Sequence, residues 1–228
     1  MGSHPLTRVE RQLVLDLDAR QKRVLKVIRI LTERYPDTRC SLDYDSPFQL
    51  LIATILSAQC TDVRVNKVTP ALFEQFPDPA AFADAPIEEI EEAVRTTGFF
   101  RQKAKSIQSC SRDIIEQHQG EPPSTLSEFV KLAGVGRKTA NVVLGVALGK
   151  PEGVVVDTHV GRIAVKLGLT GHGPKEAVKI ERDLNQCVPR KHWVALGHLL
   201  IEHGRNTCRA RRPQCDDCPL YRHCEVRA

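Results

Sequence analysis

A chain of 228 residues with 41% hydrophobic and 27% charged residues can bury a sizeable core, which excludes a disordered or fibrous protein. No apolar run approaches the ~20 residues of a membrane span, and residues 1–19 mix charged with apolar positions instead of forming a secretory signal, so a soluble, cytoplasmic protein is expected. The net charge of +5 is compatible with a polyanionic partner without requiring one.

The hydrophobic pattern is helical along nearly the whole chain. Gly2-Ser3-His4 resembles a tag remnant as much as native sequence and carries no argument. Val24, Val27, Ile28, Leu31 and Tyr35 form one stripe of an amphipathic helix. Ser46-Pro47 places a Ser cap before a first-turn Pro, and the apolar run from Phe48 to Leu56 predicts a central, buried helix. Asp62 is expected to cap the helix after it. Pro86 opens a further helix with Ile87, Ile90 and Val94 on one face. Thr125 and Glu128 have capping-box spacing, and the stretch from Thr139 to Leu148 is apolar around most of its circumference. Val154-Val155-Val156 has strand propensity but no second strand to pair with, so it reads as an extended connector. The fold class is all-α, with a turn-rich boundary at 149–153.

Charge is unevenly spread. Between Asp78 and Glu92 lie six acids and no base, whereas basic residues gather at Arg101/Lys103/Lys105, at Lys131/Arg137/Lys138 and at Arg205/Arg209/Arg211/Arg212. Either a polyanion faces the basic groups or these are ordinary solvated helix faces. One Trp, three Tyr and seven Phe are too few for a single-strand binder built on rows of stacked rings.

Cys208, Cys215, Cys218 and Cys224 follow a C-x6-C-x2-C-x5-C spacing, while Cys40, Cys60, Cys110 and Cys187 stand singly and read as small buried hydrophobes. Four clustered thiols without an export signal point to a metal centre. Only Cys215 and Cys218 form the short pair favoured by structural zinc, which tips the reading toward an iron–sulfur cubane. Arg209, Arg211 and Arg212 sit between the first two thiols, either as a cationic loop for phosphates or as compensation for thiolate charge.

The run Leu132-Ala133-Gly134-Val135-Gly136-Arg137-Lys138 joins two helical segments through a tight Gly-x-Gly turn, with the second helix starting near Gly136. Such an N-terminus accepts phosphate oxygens. Lys138 falls in its first turn, where the helix dipole, Arg137 and a partly dry pocket would disfavour the ammonium and raise the fraction of free amine. Taken alone it reads more readily as a phosphate contact than as a nucleophile. Asp157 precedes the next helix as an N-cap, with one carboxylate oxygen left over for acid–base work.

Together these residues resemble the endonuclease III family of helix-hairpin-helix DNA glycosylases. The matching segments are LLIATILSAQCTD (50–62), GFFRQKA (98–104), LAGVGRKTANVVL (132–144), VVDTHVGR (155–162), His203-Gly204-Arg205 and the cysteine loop. The resemblance implies base-excision repair of oxidised or damaged pyrimidines in duplex DNA, followed by strand cleavage at the abasic site. Lys138 would be the Schiff-base nucleophile and Asp157 the catalytic carboxylate. Gln59 would fill the gap left by the flipped nucleotide and Phe99 would wedge a base step, unless Phe99 is instead core. Gly134, Gly136, Arg137 and the three loop arginines would contact DNA, and the four cysteines would hold a [4Fe-4S] cluster. A monomer without membrane attachment is implied. So are two helical domains with DNA in the cleft between them: a six-helix unit carrying the hairpin over 40–150, and a discontinuous cluster domain from 1–39 and 151–228.

The chain departs from the family at Ala133, where Pro is usual, and at Phe99 with Arg101-Gln102, which bear on lesion preference. Three other readings remain. An adenine-mismatch glycosylase normally lacks Lys at position 138 and carries a further C-terminal domain, whereas this sequence stops four residues after Cys224. A non-enzymatic iron–sulfur DNA-binding or redox-sensing protein, or a structural zinc protein, would leave Lys138 a phosphate contact.

Overall fold

A computed structural model describes residues 8–226, with side chains described from residue 16 onward. The expectations placed on residues 1–7, including Gly2-Ser3-His4, lie outside it. Every regular element among the described residues is helical, and none of these helices is long and apolar enough to cross a membrane. The chain divides into two compact units: Cys40–Glu152, and a second made of the segment before residue 40 with the segment from Gly153 onward.

The 40–152 unit is built around helix α2 (Pro47–Leu56), in which eight residues from Phe48 to Leu56 are buried. Its start is set locally: the Ser46 side chain accepts from the Gln49 amide at 3.2 Å and Pro47 occupies the first turn. Helices α3 (Asp62–Gln75), α4 (Pro79–Asp84), α5 (Ile87–Ala93), α6 (Phe100–His118), the single turn α7 (Leu126–Phe129) and α8 (Arg137–Val146) follow. α2 packs on α3, α6 and α8, and α6 carries α4 and α5. Phe48, Phe76 and Phe82 form an aromatic knot, with Phe82 within 5.8 Å of both other ring centroids. The cap of α3 is Thr61 and not Asp62, which sits one residue inside and accepts from Ser41 at 2.6 Å. Thr125 caps α7 as expected, its hydroxyl accepting from the Glu128 amide at 3.4 Å and donating to the Glu128 carboxylate at 2.6 Å.

In the other unit, α1 (Arg8–Arg34) buries Val24, Val27, Ile28 and Leu31. It packs on α10 (Ala177–Cys187) and α11 (Trp193–Asn206), and α9 (Thr158–Lys166) packs on both of these. The valine run before α9 belongs to no helix or strand. Val154 and Val156 are buried, and the Val154 amide donates to Asn185 at 2.9 Å in place of a strand partner. Of the four single cysteines, Cys110 and Cys187 are core. Cys40 and Cys60 are only half-buried, because they lie in the connections flanking α2.

Leu51 is fully buried in α2 whereas Val63 at the start of α3 is 67% exposed. Leu51→Ala is expected to cost about 2–5 kcal/mol and Val63→Ala less than about 0.5 kcal/mol; denaturant melts of the two variants check this.

Candidate nucleic-acid interface and thiol site

The hairpin in the 40–152 unit is anchored by its middle. Val135 is buried in the core between Gly134 and Gly136, so the glycines are held at fixed positions. They differ in what the protein demands of them. Gly134 has φ +74° and a Cβ there would stand 2.6 Å from Ser106 Cβ on α6, so the fold itself requires glycine. Gly136 has φ −89° and a Cβ there would meet nothing within 4 Å. Nothing inside the protein accounts for its missing side chain. Gly136 caps α8 without a side-chain acceptor, and Arg137 and Lys138 in the first turn are exposed. The partly dry lysine pocket expected from sequence is therefore not part of the protein alone.

Two loops of the same unit hold Gln59 and Phe99. Both residues adopt left-handed backbone, φ 53° and 49°, which costs a non-glycine residue roughly 1–2 kcal/mol. Gln59 is exposed. Phe99 is 67% exposed, while the adjacent Phe100 packs against the core and lies under the guanidinium groups of Arg95 and Arg101. The basic cluster Arg101/Lys103/Lys105 is not one face: Lys103 is only 5% exposed and points inward.

In the other unit Asp157 caps α9. Its Oδ1 accepts from the His159 and Val160 amides, both at 2.8 Å. The leftover oxygen predicted from sequence is not vacant, since Oδ2 lies 2.9 Å from His159 Nδ1. Double capping fixes the carboxylate against the helix start, and the imidazole fixes its rotation. The carboxylate side chain keeps 13% exposure.

From the same helix Arg162 donates to the Cys208 carbonyl at 2.7 Å and the Gly204 carbonyl at 3.3 Å, tying α9 to the start of the cysteine loop. Cys208, Cys215, Cys218 and Cys224 all line one cavity of about 80 Å³ together with Lys166, Thr207 and Tyr221. Burial pushes the Cys208 and Cys218 thiols up, reinforced by charge on neighbouring cysteines, while Lys166 and Arg162 act in the opposite sense on Cys208. No three His, Cys, Asp or Glu residues among the described ones converge as a single metal ion would require. His203 is buried and its Nε2 lies 3.6 Å from Cys218 Sγ. The Tyr35 hydroxyl sits 3.3 Å from its Nδ1 and 2.8 Å from Thr207. Burial, with Arg162 and Arg34 nearby, pushes His203 down to about 4, so it is neutral at neutral pH.

Arg209, Arg211 and Arg212 are exposed on the loop after Cys208, which the Gln214 amide closes onto the Thr207 carbonyl at 2.9 Å. The sequence singles out neither His159 nor Arg162, and it places Tyr35 only in an apolar stripe and Lys103 only in a basic cluster. Each is a polar side chain in an ordinary helical pattern, and only its packing partners reveal what it does.

The chain matches the model of the HhH-GPD superfamily base excision DNA repair proteins over residues 52–190. An endonuclease III from Synechocystis sp. is 49% identical over 93% of this chain and 96% of its own length. Two solved structures align over 90% of this chain and 95% of theirs at 40% identity. One is a non-covalent endonuclease III–DNA complex, TM-score 0.84. The other is a trapped covalent endonuclease III–DNA intermediate, an estranged-adenine complex, TM-score 0.85. The chain belongs to the HhH-GPD superfamily and, within it, to the endonuclease III group of base-excision-repair DNA glycosylases.

Proposed function

We propose that the protein removes damaged pyrimidines from duplex DNA and cuts the strand at the resulting abasic site, with Lys138 as nucleophile. The observation that carries this reading is the exposed primary amine in the first turn of α8, two residues past a glycine whose open side leaves room for a phosphate. The Lys138 amine adds at C1′ of the flipped nucleotide as the damaged base departs, and the sugar ring opens to an imine. Loss of a C2′ proton then expels the 3′ phosphate, and water releases the lysine. Bound DNA would supply the dry surroundings that favour the free amine. A relative trapped covalently on DNA supports an attacking side chain of this kind.

Asp157 is the second catalytic group. With Oδ1 held by two amides and Oδ2 beside His159, its geometry suits stabilising positive charge on the sugar more than carrying a proton. Gln59 and Phe99 are the inserting residues, and Arg137, Arg209, Arg211 and Arg212 take phosphates through exposed guanidinium groups. Phe99 with Arg101-Gln102 sets lesion preference. The protein acts as a monomer at the chromosome, in the cytoplasm.

Cys208, Cys215, Cys218 and Cys224 would hold a [4Fe-4S] cluster. The donor set fits in kind and number: four thiols line one cavity, and a [4Fe-4S] cluster takes four cysteine thiolates. Bound there, the cluster supplies a covalent pin for the arginine loop, and His203 is placed to donate from Nε2 to the Cys218 sulfur.

Borohydride is expected to trap wild-type protein on duplex DNA containing an oxidised pyrimidine, and Lys138→Gln to give no adduct. Asp157→Asn, which can still cap α9, should bind DNA normally and lose roughly 100-fold or more in single-turnover excision. No wild-type adduct on any lesion of a panel overturns the lyase reading. Gly136→Ala should leave stability within about 1 kcal/mol of wild type and weaken DNA binding roughly tenfold. Gly134→Ala should instead destabilise the fold by about 2 kcal/mol or more; paired melts and binding titrations separate the two. Anaerobically purified protein should contain four irons per chain and no zinc. Stoichiometric zinc with an intact fold refutes the cluster assignment.

A further inference from the structure

We infer that Lys103 is a positioning residue whose buried ammonium holds the Gln59 and Phe99 loops in their inserting geometry. The inference rests on the proposed insertion of those two residues into DNA. Lys103 lies in the first turn of α6 and is 5% exposed, an unusual environment for a lysine with no carboxylate partner in hydrogen-bonding contact among the described residues. Its Nζ donates to the Leu56 carbonyl at 2.8 Å and the Thr97 carbonyl at 2.7 Å. Leu56 is the last residue of α2, and Thr97 ends the short 3-10 turn Arg95–Thr97. Carbonyls at helix ends lack intrahelical donors and carry negative partial charge, so one ammonium answers both.

The chain leaves each of those carbonyls directly into a loop. Three residues beyond Leu56 comes Gln59 at φ 53°, and beyond Thr97 come Gly98 at φ 72° and Phe99 at φ 49°. The Lys103 amide also closes the return of the second loop, donating to the Phe99 carbonyl at 3.0 Å. Lys103 is thus bonded at the root of one loop and at both the root and the far side of the other. Burial pushes its ammonium down, and the Cys60 thiol in the first loop acts in the opposite sense. An apolar side chain would fill the same space, but it would leave two interior carbonyls without donors and the two loop roots unlinked. Sequence separation hides the link, since Leu56 is 47 residues away.

The test uses the intact, cluster-loaded protein and a duplex carrying a tetrahydrofuran abasic analogue, with 2-aminopurine placed beside or opposite it as a reporter of unstacking. Wild type should raise the fluorescence on binding, and Gln59→Ala and Phe99→Ala should reduce that rise. Lys103→Met should lose at least half of it and, on a separate duplex carrying an oxidised pyrimidine, slow single-turnover excision at least tenfold, while affinity for undamaged duplex stays within threefold. Lys103→Gln, which retains two N–H donors, should recover part of both signals, and it is the variant to read if Lys103→Met gives no cooperative melt. Wild-type fluorescence and rate in Lys103→Met, with Gln59→Ala and Phe99→Ala impaired, overturns the positioning role and leaves the insertion reading standing. Loss in Lys103→Met with no recovery in a folded Lys103→Gln also overturns it, by assigning the effect to packing. No change in Gln59→Ala or Phe99→Ala defeats the insertion reading itself, and the inference with it.

Discussion

A carbonyl that ends a helix inside a protein must find a donor, and in the 40–152 unit two such carbonyls find the same one. α2 is the central helix of that unit and is buried on nearly every side, so its C-terminus has no route to water. Lys103 reaches it from α6, the helix that carries α4 and α5. The same α6 presents Ser106 against Gly134, which fixes the hairpin. α6 therefore sets three exposed features at once: the Gln59 loop, the Phe99 loop and the hairpin bearing Lys138. A long helix with a buried inner face is stiff, and features hung on it move together.

The other unit is organised by a shorter helix with a different function at each end. α9 has nine residues, about 13 Å of helix. Asp157 caps its start, while Lys166 at its end lines the thiol cavity and its carbonyl accepts from the Glu225 amide at 2.8 Å. Between them Arg162 bonds the carbonyl of Cys208. α11 lies close enough that a Cβ on Gly204 would come within 2.9 Å of the His159 ring, so the imidazole that orients Asp157 is itself wedged in place. Whatever orders the cysteine loop thus also stiffens the helix that holds the carboxylate.

Helix starts were readable from sequence because caps are local. Ser46-Pro47, Thr125 with Glu128, and Asp157 each act within three residues of themselves. So was the rejection of a strand at Val154-Val155-Val156, which needed only the absence of a partner run. The cysteine spacing and the Gly-x-Gly turn were legible for the same reason. Long-range polar pairing was not. Lys103 has the same sequence signature as Arg101 and Lys105, and only its depth in the fold separates it from them. Asp157 was seen as a cap, but its second partner, His159, required the ring's rotamer to be known. The difference between Gly134 and Gly136 depends on Ser106, 28 residues earlier, which no local pattern contains.

Among the described residues, four that are not glycine adopt left-handed backbone: Gln59, Phe99, Gln119 and Arg212. Gln119 has a local cause. It ends α6 beside Gly120, whose amide bonds back to the Ile114 carbonyl, a common way to stop a helix. Gln59 and Arg212 lie outside any helix, and Phe99 stands at the start of α6, where its side chain makes no capping bond. Glycine would adopt those angles at roughly 1–2 kcal/mol lower cost, and at none of the three is the side chain buried in compensation. All three are exposed, and all three were nominated for DNA contact on sequence grounds alone. Under the proposed function, these surface departures from local rules fall at positions whose side chains meet DNA. For Gln59 and Phe99 the exposed side chain projects from a root that the buried ammonium holds still, an arrangement suited to pushing a rigid tip into a stack of bases.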